Sequence, residues 1–228
     1  MKFLQKIIPA RYHYALANLK RKFTGYTTYS QCGEDMTLLE IFGDKLDGFY
    51  VDVGAHHPER YSNTYLLHKK GWQGINIDPD PNAIVLFNKA RPNDQNVEIG
   101  VAPVKGTLSY FQFSDPAINS FVEKEAGRWM NKDWVTFLGT REIAVRPLAD
   151  ILHMHASGKQ IDVLTVDAEG MGLDVLESND WSQWVPSVIV VEDNVRDYLI
   201  GKGYSFFRQC GLSDIFILKN SGLNRANG

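Results

Sequence analysis

From Gly48 onward the chain alternates short apolar runs with stretches of helical periodicity, and this alternation restricts its fold more than any other feature. Phe49–Val53 reads as a buried strand ending at Gly54, and residues 75–78 as a second. A helix over Pro81–Ala90 follows, with Ile84, Val85 and Phe87 to bury. Residues 97–101 read as a third strand, and residues 108–113 turn back beside it after Gly106. A fourth strand, 162–166, precedes a helix over 173–177, and a fifth, Val188–Val191, precedes a helix over 195–202. Strands joined by helical crossovers make a parallel sheet, and right-handed crossovers put helices on both of its faces. Residues 204–208 and 215–218 are separated only by the turn Cys210-Gly211-Leu212-Ser213, too short for a helix. They form an antiparallel hairpin at one sheet edge. The expectation is a doubly wound, Rossmann-like α/β fold, mostly parallel, with an antiparallel C-terminal hairpin.

No repeat or low-complexity linker divides the 228 residues, a length that suits one compact domain over residues 29–228. Residues 114–141, with Asp115-Pro116, Trp129, Trp134 and Gly139, break the rhythm as a long insertion, the usual form of a lid or binding loop. Residues 1–28 are a separate N-terminal region. In its predicted helix over 11–22, Tyr12, Leu16, Leu19 and Phe23 form a stripe that packs on the domain. Arg11, Lys20, Arg21 and Lys22 keep peripheral contact with an anionic membrane surface as the alternative. The 44% apolar and 22% charged content argues against disorder, and the net charge of −3 gives no footprint for nucleic acid as a partner. Cys32 and Cys210 have no metal-ligand spacing, which suits a reducing cytoplasm rather than a disulfide framework. The apolar run in residues 1–9 is broken by Lys6 and closed by Pro9, unlike a signal-peptide core, so a cytoplasmic location is expected.

In an open α/β sheet, ligands bind beyond the carboxyl ends of the strands where the winding reverses. The predicted strands end in Asp52-Val53-Gly54-Ala55-His56-His57, Asp78-Pro79-Asp80, Asp167-Ala168-Glu169-Gly170 and Glu192-Asp193-Asn194, an acidic rim. A dinucleotide site requires G-x-G-x-x-G after the first strand so that backbone can approach a pyrophosphate. Here Gly54 is followed by Ala55, His56, His57 and Pro58, so the later glycines are missing. S-adenosylmethionine carries a sulfonium, an ammonium and a ribose diol, all suited to carboxylates and a single close-approach glycine. Asp78 stands where a carboxylate can accept from both ribose hydroxyls.

The chain resembles the FkbM family of methyltransferases. The resemblance rests on Ser30-Gln31-Cys32-Gly33-Glu34-Asp35, Phe49-Tyr50-Val51-Asp52-Val53-Gly54-Ala55, Ser62-Asn63-Thr64, Gly71-Trp72-Gln73-Gly74-Ile75-Asn76-Ile77-Asp78-Pro79, Asp167-Ala168-Glu169-Gly170 and Val190-Val191-Glu192-Asp193-Asn194. It implies a class I methyltransferase sheet, S-adenosylmethionine as cofactor, and methyl transfer to the hydroxyl of a small molecule or glycan precursor. By the resemblance, Asp52 and Gly54 line the methionine part of the cofactor, with Ala55 beside them. Asp78 and Pro79 serve the ribose, Val101 the adenine, and Glu34 with Asp35 a cap. Similar sequences often carry an acidic residue two positions after the Glu-Gly pair, where this chain has Gly172. That departure leaves open a catalytically silent cofactor-binding module. An NAD(P)-dependent oxidoreductase is a third reading, disfavoured by the missing glycines.

A carboxylate ending a buried strand is costly without a donor or ligand, which favours a functional Asp52. Asp167 and Glu169 read as acceptor-side base or cofactor contact, with structural hydrogen bonding as the rival. Methyl transfer to oxygen requires alignment and removal of a proton, and His56 or His57 is a further candidate base. No metal is expected. The one pattern that would hold Mg²⁺ by oxygen ligands at two strand ends is Asp167 with Asp193 and Asn194. Trp129 and Trp134 read as packing the insertion shut rather than stacking on an acceptor. His153 and His155 read as surface residues, and Asp150 and Asp162 as caps of helix and strand ends.

Overall fold

The structure, a computed structural model, describes residues 28–223, so the expected helix over 11–22 lies outside the described residues. Seven strands form the main sheet in the order β3-β2-β1-β7-β8-β10-β9. They are β1 (Phe49–Val53), β2 (Gln73–Asp78), β3 (Gln95–Glu98), β7 (Val163–Val166), β8 (Val188–Val191), β9 (Tyr204–Cys210) and β10 (Ser213–Leu218). β3, β2, β1, β7 and β8 run parallel. β10 is antiparallel to β8, and β9 pairs antiparallel with β10 at the edge. This is the expected Rossmann-like α/β arrangement with its C-terminal hairpin, and the winding reverses between β1 and β7.

The central strands are short because each is a run of apolar residues buried on both faces, as in β7 and β8, where all four residues are buried. Alternate residues serve opposite layers. Val51 and Val53 join Ile75, Ile77, Leu148, Ile151, Val175 and Leu199 on one face. Tyr50 points the other way into a cluster with Leu38, Phe42, Leu67 and Trp72. The helices covering that second face are α1 (Glu34–Phe42) and α2 (Tyr65–Lys69). Helix α3 (Pro81–Ala90) starts where Asp80 accepts from the Asn82 amide at 2.9 Å, with proline in its first turn. It buries Ala83, Ile84 and Phe87, but Val85 is 67% exposed against the expectation, because residue 85 lies a further ~100° round the helix from residue 84. Helices α6 (Gly172–Glu177) and α7 (Arg196–Gly201) lie where the sequence places them.

Between residues 97 and 155 the strand pairing departs from the expected one. The expected third strand is two: β3 stays in the main sheet, and β4 (Gly100–Val101) leaves it after the Ile99 amide bonds to the Asp78 carbonyl at 3.2 Å. β5 (Gly106–Phe113) does not pair with residues 97–101. Its partner is β6 (Phe137–Arg146), and the three make a second sheet in the order β4-β6-β5. Only Ile143 and Val145 of β6 are buried, so this strand has no apolar run to announce it. The insertion is therefore largely ordered: a short 3-10 turn (Pro116–Ile118), α4 (Glu123–Gly127) and the first part of β6. Helix α5 (Leu148–His155), buried through Leu148, Ile151 and Leu152, was also not foreseen. Asp150 sits in its first turn rather than at its cap, which is Pro147. Asp162 fastens the strand start by accepting from the Phe49 amide at 3.0 Å and Lys45 at 2.7 Å.

Trp72 wedges the second-face layer against the sheet at 1% exposure. Its indole N–H donates to the Lys45 carbonyl at 3.0 Å, and its ring meets Phe42 edge-on at 4.9 Å between centroids. A β-carbon at Gly48 would lie 2.3 Å from that ring, so glycine is needed there for close approach. Trp72→Ala is expected to cost about 3–5 kcal/mol of stability, read as a lower urea midpoint at unchanged slope.

Candidate active site

A cavity of about 860 Å³, including its solvent-open mouth, lies over the carboxyl ends of β1, β2 and β7, walled on one side by the second sheet. β1 ends at Gly54, whose φ is 73° and where an added β-carbon would lie 1.8 Å from the Asp167 carbonyl oxygen. The Gly54 and Ala55 amides both donate to the Ile77 carbonyl, at 3.0 and 3.1 Å, and the His56 amide donates to the Asp78 carboxylate at 2.8 Å. All three successive amides are thus spent inside the protein. No helix starts here, since α2 begins only at Tyr65.

The other Asp78 oxygen accepts from the Asp80 amide at 2.8 Å, so the carboxylate is fixed at the end of β2 with lone pairs left for a ligand. Burial, against those two backbone bonds, pushes its pKa up to about 6. Pro79 and Asp80 also line the cavity. Farther along the wall lie Ile99, Val101, Tyr110 and Phe121, the last two rings 4.6 Å apart.

On the β7 side, Asp167 and Glu169 line the cavity. Glu169 has a φ of 35°, a conformation that non-glycine residues rarely hold without support from their surroundings. Here Ser120, from the segment after β5, donates to the Glu169 carbonyl at 2.9 Å. Burial first, then the charges of Asp167, Glu125 and Asp193, raise the Glu169 pKa to about 8. Burial also raises Asp167, although its hydrogen bond to Glu192 pulls the other way. Glu192 is raised as well, by burial and then by the Asp167 charge.

Of the residues expected at the site, the structure gathers Gly54, His56, Asp78, Pro79, Val101, Asp167 and Glu169 around this cavity. His56 has a φ of 55°. Its pKa is pushed down to about 4 by burial and by Arg60, which keeps the ring neutral, and its buried Nε2 has no protein partner. His57 is used locally, its Nδ1 accepting from the Glu59 and Arg60 amides at 3.0 Å each. Asp52, Ala55 and Glu34 sit behind the wall rather than in it. The donor that Asp52 requires is internal: Thr64 bonds to it at 2.7 Å. Burial holds the Asp52 pKa at about 6. Glu34 accepts from the Cys32 amide at 2.8 Å, and Asp35 fastens Thr28, Tyr29 and Ser30, so the expected cap reaches the cavity through Gln31.

Gly172 leaves space that Asp193 fills. The Gly172 amide donates to Asp193 at 2.7 Å, and a β-carbon at 172 would lie the same 2.7 Å from that oxygen. Asp193 is so engaged, and Asn194 is exposed. Among the described residues no group of three or more His, Cys, Asp or Glu side chains is arranged to hold a metal ion. Trp129 and Trp134 meet edge-on at 5.7 Å in a small cluster with Phe113, Ile118, Ala126 and Val135, which closes the insertion on itself. His153 is exposed beside Trp184. Tyr61, Tyr110, Ser120 and Phe121 were missed by sequence reasoning, for they reach the cavity from loops and from the second sheet.

The methyltransferase FkbM domain matches residues 52–212, more than half of the chain, and the protein belongs to that family. It is a methyltransferase. A search among curated proteins gives no match. Among the described residues no helix is long and apolar enough to cross a membrane.

Gly54→Ala combines a left-handed φ with a collision against backbone, and is expected to cost about 2–5 kcal/mol in denaturant unfolding. The raised Asp78 pKa has a defined sign. A group with a folded pKa near 6 and an ordinary value of 3.8 gives stability that is full below about pH 4 and lost as pH rises through 6. His56, lowered to about 4, works in the opposite direction, so the wild-type profile mixes the two. The difference isolates Asp78: the stability of Asp78→Asn relative to wild type should improve as pH is raised through that window. A flat difference in unfolding free energy would show that Asp78 is not perturbed.

Proposed function

We propose that this protein transfers the methyl group of S-adenosylmethionine to a hydroxyl of a small molecule or a glycan precursor. The observation that carries the reading is the internal use of the Gly54, Ala55 and His56 amides. A dinucleotide needs those amides, and a helix N-terminus behind them, for its pyrophosphate. What lines the cavity instead is Asp78, Asp80, Asp167 and Glu169, with neither Lys nor Arg among its lining residues. Such a field suits a cation and repels phosphate.

The residues present fit the cofactor. Asp78, held by two backbone amides and still able to accept, suits the ribose hydroxyls. Ile99, Val101, Tyr110 and Phe121 offer an apolar wall for adenine, and the turn at Gly54 admits the methionine part. When bound, the cofactor supplies a methyl carbon on a sulfonium, open to in-line displacement. The chain's own tasks are to align the acceptor, exclude water and take up the hydroxyl proton. Asp167, whose basicity burial raises, takes that proton in this reading, and the open Nε2 of His56 accepts a hydrogen bond that orients the acceptor. Glu169, with a pKa near 8, keeps its own proton at neutral pH and serves there as a donor. Gly172 does not argue for a silent module, because the carboxylate of Asp193 stands in the space a side chain there would use.

Calorimetry should show S-adenosylmethionine binding, with Asp78→Ala weakening it about 10- to 100-fold, the worth of hydrogen bonds to a charged group. Wild-type affinity should rise with pH through about 6 as Asp78 ionises. Equal affinity in Asp78→Ala would remove this placement of the cofactor, and preferential binding of a nicotinamide dinucleotide would remove the reading altogether.

A further inference from the structure

The segment between Gly54 and α2 contributes His56 and Tyr61 to the cavity wall, and both hold left-handed backbone, with φ of 55° and 60°. Their rings lie 6.2 Å apart and nearly parallel, at 23°. Residues held in this way persist only where their surroundings over-determine them. The segment has no ladder to hold it. Its links to the sheet include the His56 amide on Asp78 and Asn63 on the Thr165 hydroxyl at 3.1 Å.

Behind it lies Arg91, 0% exposed, at the end of α3. One guanidinium nitrogen donates to the Thr64 hydroxyl at 2.8 Å, the Tyr50 hydroxyl at 3.1 Å and the Asn76 side-chain oxygen at 3.3 Å. The other donates to the Pro58 carbonyl and to the Ser62 hydroxyl at 2.9 Å. Arg91 thus grips the segment at three points, two of which bracket Tyr61, and ties them to β1 and β2. Its charge is answered through relays. Thr64 passes a bond on to Asp52 at 2.7 Å, while Tyr50 and Asn76 both donate to Asp94. Burying an arginine is costly unless contacts of this kind compensate it; its two terminal nitrogens are bonded, while its Nε is buried without a partner. No atom of Arg91 lines the cavity.

We infer that Arg91 is a positioning residue of the methyl-donor site: its fork holds residues 56–64 in the strained shape that places His56 and Tyr61 in the cavity wall. Lysine, a point charge without the fork, cannot hold Pro58, Ser62 and Thr64 together. The assignment to the donor site rests on the function proposed above, whereas the clamp itself does not.

The test measures amide hydrogen exchange and S-adenosylhomocysteine affinity in Arg91→Lys and Ser62→Ala. Exchange should quicken over residues 56–64 and not over β1 and β2. Affinity should fall about tenfold in Arg91→Lys and about threefold in Ser62→Ala. Added S-adenosylhomocysteine should restore the protection of 56–64 in both variants, which general weakening of the core would not produce. Unchanged exchange in 56–64, or faster exchange spread evenly over the sheet, would overturn the clamp. Should Arg91→Lys fail to fold, Ser62→Ala decides by the same criteria. A wild-type protein that does not bind S-adenosylhomocysteine would refute the donor-site assignment and the proposed function together, and the exchange measurements would still judge the clamp.

Discussion

The backbone of β1 and the backbone of β7 come together where Gly54 lies against the Asp167 carbonyl, closer than any side chain would permit. That contact sits at the reversal of winding, so it brings the ends of three strands to a single point. The carboxylates that end β2 and β7 can then face one space, because nothing projects from residue 54 to separate them. The close approach serves the protein's own packing first, and the opening above it follows.

The opening is held at an electrostatic cost. Asp52, Asp78, Asp167, Glu169 and Glu192 are all raised by burial, and several also by one another. A cavity that gathers acids in this way with no lysine or arginine in its lining is destabilised unless something positive or proton-bearing enters. Perturbed acids collected in a cleft mark a site rather than a scaffold. Behind the first strand the arrangement is opposite in kind. Asp52 and Asp94 answer the Arg91 charge through Thr64, Tyr50 and Asn76, and the result is a polar mount under a strained loop. The first group opens toward the cavity, and the second lies behind its wall.

The sheet was legible because its strands are apolar runs bounded by turns and helices. Val188–Val191 and Phe49–Val53 could hardly be anything else, and the short turn before β10 excluded a crossover. Much of the candidate site was legible for the same reason, since residues at the ends of buried parallel strands face the place where ligands bind. Gly54, Asp78, Asp167 and Glu169 were found that way. β6 was not, because it pairs through its backbone while exposing Thr140, Arg141 and Glu142, and pairing leaves no mark on a polar sequence. Tyr110 and Phe121 were lost with it. Asp52 shows the complementary difficulty: a strand-end carboxylate needs a partner, but sequence cannot say whether that partner is a ligand or Thr64.

The sequence by itself determined the alternation of strands and helices, the antiparallel closing hairpin, the loss of a phosphate-binding turn after Gly54, and the membership in a methyltransferase family. The first three follow from hydrophobic periodicity and residue spacing, which are local properties of a chain, and the last from motifs the chain shares with the family. The tertiary structure alone decided which acids share the cavity, that Asp167 adds to the burden of buried charge on Glu192, that a second sheet supplies the apolar wall, and that Arg91 bonds to the loop beneath it. Those relations join residues far apart in the chain, and burial and through-space charge exist only once the chain has folded.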